Sequence, residues 1–130
     1  MTPRMDMICL ITDDMAASLA FYQQLGVPMP ADGASGPHVE ATFPDGLRIA
    51  WETVESVRAA DPEYQPRPEG TRLSLAFRCD SPAEVDALYE RLLAAGHSGL
   101  REPWDAFWGQ RYAVVRDPDG NAVDLFAWQP

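Results

Sequence analysis

The tripeptide Pro-Asp-Gly occurs twice, at 44–46 and at 118–120, and each copy opens onto an alternating stretch. The first leads into Leu47-Arg48-Ile49-Ala50, the second into Asn121-Ala122-Val123-Asp124. Proline presets the backbone for a turn and glycine accepts a conformation other residues avoid, so each copy reads as a turn feeding a strand. Upstream, Thr12-Asp13-Asp14 and Cys79-Asp80-Ser81-Pro82 both end an apolar run and begin a helical one. A unit of about 60 residues is therefore written twice, each copy predicted as a strand, a helix and three strands. The expectation is one α+β domain over 1–130, made of two modules at about 1–65 and 70–130.

With 130 residues, 46% of them hydrophobic, the chain can bury one substantial core. Ten basic and twenty acidic residues leave a net charge of −10, which repels nucleic acid and anionic membrane surfaces and suits a neutral or cationic small ligand. No stretch is apolar and long enough to span a bilayer, and Met1-Thr2-Pro3-Arg4-Met5-Asp6 lacks the apolar run of a secretion signal, so a cytoplasmic location is expected. There Cys9 and Cys79, both in predicted strands, would be free thiols.

Strands are predicted over 7–12, 38–43, 47–53, 72–79, 110–116 and 122–128, and helices over 15–25 and 82–95. Asp13 or Asp14 caps the first helix, and Ser81 caps the second with Glu84 three residues on. Pro28 and Pro30 keep the segment after the first helix short and edge-like. Residues 31–37 read as a loop, and Glu55 to Gly70, with Pro62, Pro66 and Pro68, as the connection between halves.

Strand parity sorts the side chains into two faces. Val39, Ala41, Phe43, Leu47, Ile49, Trp51, Leu73, Leu75 and Phe77 belong to the helix-facing side. His38, Glu40, Arg48, Ala50, Glu52, Arg72, Ser74 and Ala76 lie on the other, which would line a cleft between two curved sheets, with Met7 and Cys9 as soft wall residues.

Four rings fall within nine positions, Trp104, Phe107, Trp108 and Tyr112, beside Gly109. Such rings stack on a planar ligand or simply fill a core or a dimer seam. Gln110 and Tyr112 share the cleft face with Val114, so a carboxamide and a phenol can orient a ligand, although Gln110 can equally finish a strand end. Asp124 would be costly to bury unpaired and must meet a donor: a ligand amine, or Arg48 or Arg72. His38, Glu40 and Glu52 suit a cationic ligand but are equally ordinary as solvated groups. The candidate ligand-binding set is thus Trp108, Trp104, Tyr112, Gln110, Asp124, His38, Glu52, Ser74, Cys9 and Phe107.

The run Arg116-Asp117-Pro118-Asp119-Gly120-Asn121 with Val123-Asp124-Leu125, together with Asp14-Met15-Ala16-Ala17-Ser18-Leu19-Ala20-Phe21-Tyr22 and Leu25-Gly26-Val27, resembles the vicinal oxygen chelate superfamily. That superfamily includes glyoxalase I, the extradiol dioxygenases, fosfomycin-resistance enzymes and bleomycin-resistance proteins. The resemblance implies two βαβββ modules forming curved mixed sheets around a cleft, often in a homodimer whose clefts are shared between chains.

In the metalloenzymes of the family a divalent metal is held by the first and last strands of each module, at positions matching Met7, Ala50, Ser74 and Asp124. Of these only Asp124 is a good ligand, which implies that the shared metal site is absent and that no cofactor is used, unless His38, Glu40 or Glu52 rebuilds a site. The runs 50–55 and Pro103-Trp104-Asp105-Ala106-Phe107-Trp108-Gly109-Gln110-Arg111-Tyr112-Ala113-Val114-Val115 look most like the mitomycin-binding resistance proteins. They imply a metal-free protein that sequesters a planar aromatic or quinone drug without turnover. The alternatives are an enzyme of the same superfamily acting on a small biosynthetic intermediate, with Asp124 or Glu52 as general base, and a metal-dependent glyoxalase or dioxygenase.

Overall fold

The computed structural model describes residues 2–31, 34–66 and 73–130. The chain divides into two compact units, residues 1–66 and 67–130. In the first, strand β1 (Met7–Thr12), helix α1 (Met15–Gln24), strands β2 (His38–Thr42) and β3 (Arg48–Thr53) and helix α2 (Val54–Ala60) follow in order. In the second come β4 (Ser74–Arg78), α3 (Pro82–Ala94), β5 (Ser98–Ala106), β6 (Gln110–Arg116) and β7 (Ala122–Trp128).

Both units obey one pairing rule. The first strand lies parallel to the last, and the last is antiparallel to the one before it: β1-β3-β2 in the three-stranded sheet, β4-β7-β6-β5 in the four-stranded one. The two Pro-Asp-Gly turns build the matching hairpins. Phe43 N–H donates to the Leu47 carbonyl at 2.8 Å, and Asp117 N–H to that of Asn121 at 2.9 Å. In the second turn the buried Asp117 also accepts from the backbone N–H groups of Asp119 and Asn121 and from the Asn121 carboxamide. Gly120, at φ 87°, takes the left-handed position that side chains resist.

The α+β class with mixed sheets holds, and the βαβββ order is complete in the second unit. In the first, the described residues form no strand between α1 and β2, where Pro28, Pro30 and Pro37 withhold the N–H donors a ladder needs. Residues 55–60, expected as connection, instead belong to α2, because the Thr53 hydroxyl accepts from Ser56 N–H at 3.1 Å and caps it. Arg72, the predicted start of the 72–79 strand, lies outside the described residues, as do positions 32 and 33 of the expected loop and 67–70 of the expected connection. Cys79 falls just after β4, and Cys9 and Cys79 are both free thiols.

Helix starts follow the capping residues. Asp14 accepts from Ala17 N–H at 3.0 Å, and Ser81 from Glu84 N–H at 3.2 Å. Glu84 reaches back to the N–H of Asp80, one residue before the cap.

Each sheet buries its helix-side face. In the first unit Leu10, Val39, Ala41, Ile49 and Trp51 are buried together with Leu19, Phe21 and Tyr22 of α1, the Tyr22 and Trp51 rings lying 5.8 Å apart. In the second, Val85, Leu88 and Leu92, on one side of α3, are buried with Ala113, Val115, Val123, Leu125 and Ala127 of β6 and β7. Arg111 ties this layer: its guanidinium forks onto Asp86 of α3 at 2.9 and 3.1 Å and reaches Asp105 of β5 at 3.2 Å.

Leu92 is fully enclosed. Leu92→Ala should therefore cost about 2–5 kcal/mol in a urea unfolding titration, whereas a loss under 1 kcal/mol would show that α3 is not packed as described.

Candidate ligand-binding site

The two faces left open by the helices differ in chemistry. On the second unit, cross-strand register sets Gln110 opposite Trp128, Tyr112 opposite Phe126 and Trp104, and Val114 opposite Asp124. Paired residues share a face, so these side chains form one surface. Its rings touch edge to face: Trp104 with Trp108 at 6.1 Å, Trp104 with Tyr112 at 5.4 Å and Trp108 with Tyr112 at 5.3 Å. Tyr112 stacks on Phe126 at 6.2 Å, and Phe126 meets Trp128 edge-on.

The Trp-Gly-Gln-Arg-Tyr run makes this surface by alternation. Gln110 and Tyr112 go to the open face and Arg111 to the helix side. Gly109 is required by the backbone. A Cβ there would meet nothing within 4 Å, but its φ of 88° in the turn joining β5 and β6 is the conformation glycine supplies cheaply.

Two hydrogen bonds orient the polar members. The Trp108 indole N–H donates to Gln110 Oε1 at 2.7 Å, and the Tyr112 hydroxyl donates to Asp124 Oδ2 at 2.5 Å. Burial, then the hydrogen bond to the Asp124 carboxylate, pushes the Tyr112 phenol up to about 12, so it stays a donor across the physiological range. Asp124 therefore finds its donor on the neighbouring strand. Arg48, one expected partner, is engaged with Asp6 and Glu40, and Arg72, the other, is outside the described residues.

Three members of this face were not singled out from the sequence. Phe126 and Trp128 follow Asp124 at intervals of two, so strand parity would have found them. Arg101 would not have been found. Register shifts in β5 bring Arg101 and Trp104 to the same face, opposite Val114 and Tyr112, although they are three residues apart. Its guanidinium lies 3.5 Å from the centre of the Trp104 ring, so one face of that indole is already covered. The indoles accessible for stacking are Trp108, 43% exposed, and Trp128, 55% exposed. Phe107, 97% exposed, sits at the turn, in contact with Trp108 edge-on. Ser74 begins β4 opposite Ala122, one rung from Asp124, whose own partner is Ala76.

The first unit carries His38, Glu52 and Cys9 of the expected set. Its open face is an ionic chain: Asp6 meets Arg48, Arg48 meets Glu40 at 2.7 Å, and His38 bridges Glu40 at 2.7 Å and Glu52 at 2.9 Å. Neutral imidazole has one donor, and its bare nitrogen would face a carboxylate, so this geometry selects the imidazolium. The hydrogen bond to Glu40 raises the His38 pKa above 6.5, with Glu52 adding to it against some desolvation. Glu40 is held below 4.5 by His38, then by Arg48. Cys9, opposite Ala50 on the same face, has its thiol pushed up by burial and by Glu52 and Glu40, and so stays un-ionised.

The positions matched to a metal do not form a ligand set. Met7 offers a soft thioether and Ala50 a buried methyl, Ser74 a neutral hydroxyl, and Asp124 a carboxylate already receiving a phenol. Both His38 nitrogens are taken up by carboxylates, which removes the lone pair a metal would need. Among the described residues no group of three or more His, Cys, Asp and Glu is arranged to hold a metal ion. No helix among them is long and apolar enough to cross a membrane.

His38 contributes stability that is complete below its ordinary pKa and lost as pH rises through the raised one. Glu40 contributes stability present above its ordinary value and lost as pH falls through the lowered one. The expected result is an NMR titration midpoint for His38 above 6.5, falling in Glu40→Gln and, by less, in Glu52→Gln. A midpoint at or below 6.5 would contradict the bridge.

The model of the Glyoxalase/Bleomycin resistance protein/Dioxygenase superfamily matches residues 4–125. A glyoxalase/bleomycin resistance protein/dioxygenase from Nocardioides is 29% identical, with 99% of this chain and 85% of that one covered and a TM-score of 0.77. A glyoxalase-related enzyme from Fulvimarina pelagi is 25% identical over 97% of this chain and 88% of its own, with a TM-score of 0.82. A glyoxalase/dioxygenase from Nostoc punctiforme, 22% identical with 98% and 92% covered, shares the fold at a TM-score of 0.71. No match was found among curated proteins.

Proposed function

The chain belongs to the glyoxalase/bleomycin resistance protein/dioxygenase superfamily, and on that premise we propose that it is a non-catalytic, metal-free protein that sequesters a planar aromatic or quinone antibiotic of the mitomycin type. The observation that carries this reading is the ring surface of the four-stranded sheet. Trp104, Trp108, Tyr112, Phe126 and Trp128 form a continuous set of ring contacts, with Trp108 fixed through Gln110 and still accessible. A flat ligand laid on one indole gains about 0.5–1.5 kcal/mol beyond the apolar area it buries. Because neighbouring rings and a hydrogen bond already hold that indole, little side-chain freedom is lost on binding.

The donor set supports binding over metal-assisted chemistry, since the positions that carry ligands in the metalloenzymes hold a thioether, a methyl, a hydroxyl and one carboxylate. Homodimeric assembly in the cytoplasm is part of the proposal. The almost wholly exposed Phe107 is the surface a second copy would cover, and the unbridged Cys9 and Cys79 suit a reducing compartment.

A mitomycin-type quinone titrated against the tryptophan fluorescence should quench it equally with and without chelator and be recovered unchanged. Trp108→Ala should weaken binding at least about tenfold. Unchanged affinity in that variant, loss of binding with chelator, or recovery of a converted product would overturn the reading.

A further inference from the structure

Two irregularities in the four-stranded sheet serve one side chain. The pairing of β5 with β6 slips between Gly99 and Arg101 and again between Arg101 and Trp104, which sets Arg101 opposite Val114 and Trp104 opposite Tyr112. Each slip coincides with a residue unsuited to a regular ladder. At the first, Tyr89 of α3 lies so close to the strand that a Cβ on Gly99 would fall 2.1 Å from its hydroxyl oxygen and 2.8 Å from the ring carbon bearing it. Only glycine lets the helix approach the strand there. At the second, Pro103 has no N–H to give to the pairing.

The product of the two slips is a planar cation laid on a planar ring. The Arg101 guanidinium carbon lies 3.5 Å from the centre of the Trp104 ring. At that separation no nitrogen fits between carbon and ring, so the guanidinium lies across the indole instead of pointing into it. It stands where a flat ligand would stand, and such a ligand must first displace it. Displacement is opposed by the attraction of the cation for the ring face, and by a chain of net charge −10 that favours keeping a cation in place. Trp104 also meets Trp108 and Tyr112 edge to face at 6.1 and 5.4 Å, so it cannot turn its covered face outward without breaking both contacts. Trp108 is held differently. Its Nε1 hydrogen bond to Gln110 lies in the plane of the ring and takes up no face.

Resting on the proposed function, we infer that Arg101 is a specificity-determining residue of the stacking site. It closes Trp104 to a flat ligand and leaves that ligand the exposed indoles, Trp108 and Trp128.

Spectra of nitrogen-labelled indoles from the wild type, Arg101→Ala and Arg101→Lys decide the matter with two probes. Tempol, a small neutral nitroxide, broadens the signals of groups it can approach and needs no ligand site. It should broaden the Trp104 signal more in Arg101→Ala than in the wild type and leave the enclosed Trp51 alike in both. A mitomycin-type quinone should shift Trp104 little in the wild type. In Arg101→Ala the Trp104 titration should report binding about twofold to fivefold tighter, the range for an exposed cation lifted from a ring. Arg101→Lys should fall between the two, because a point charge on a flexible stem covers the ring less completely than a flat fork. Trp104 no more open to Tempol in Arg101→Ala than in the wild type would overturn the shielding and the inference. Trp104 opened to Tempol but no more responsive to bound quinone would overturn the specificity role and leave the stacking site standing. A quinone that moves no indole in any of the three proteins would overturn the proposed function, and the specificity role with it. Arg101→Lys carries the same comparison if Arg101→Ala does not fold.

Discussion

Within each unit the parallel pairing of the first strand with the last fixes everything else. A strand that leaves a sheet and returns parallel beside its neighbour needs a crossover, and α1 and α3 supply it on one face of their sheets. The opposite face stays uncovered by its own helix. Parity then dictates each side chain's environment: Ile49 and Trp51 go to the core while Arg48 and Glu52 go outward. Val123 and Leu125 go to the core while Asp124 and Phe126 go outward.

From this shared frame the two units diverge in what the outer face can do. In the first, opposite charges are matched along the chain Asp6, Arg48, Glu40, His38 and Glu52, so each group already has its partner. A ligand there must break ion pairs that are individually weak but mutually supporting. In the second, rings replace the charges, and the polar groups among them, Gln110, Tyr112 and Asp124, are hydrogen-bonded to neighbours on the same face. Apolar ring area with a few fixed polar groups is the arrangement that rewards a flat ligand.

Much of the fold was legible because its signals are local. The Pro-Asp-Gly turns, the helix caps at Asp14 and Ser81, the apolar run of β1 and the patterns of β6 and β7 depend on neighbours a few residues away, and those strands have their predicted bounds. The extra helix α2 was hidden by its position: its cap, Thr53, also ends a strand, and the prolines further on drew the whole segment toward a connection. The site was legible in its rings and in Gln110, Tyr112 and Asp124. The partner of Asp124 was not, because the reach of the Tyr112 hydroxyl across to the neighbouring strand depends on register. The position of Arg101 over Trp104 depends on register shifts in β5, which alternation cannot anticipate.

The ring surface of the second unit is the centre of this account, and the four tryptophans report on it separately. In a spectrum of nitrogen-labelled indoles, a planar quinone added with chelator present should shift Trp108 and Trp128 strongly and Trp104 by less. Trp51, fully enclosed in the first unit, should stay in place. Shifts confined to residues of the first unit, or three surface indoles unmoved at saturating ligand, would contradict it.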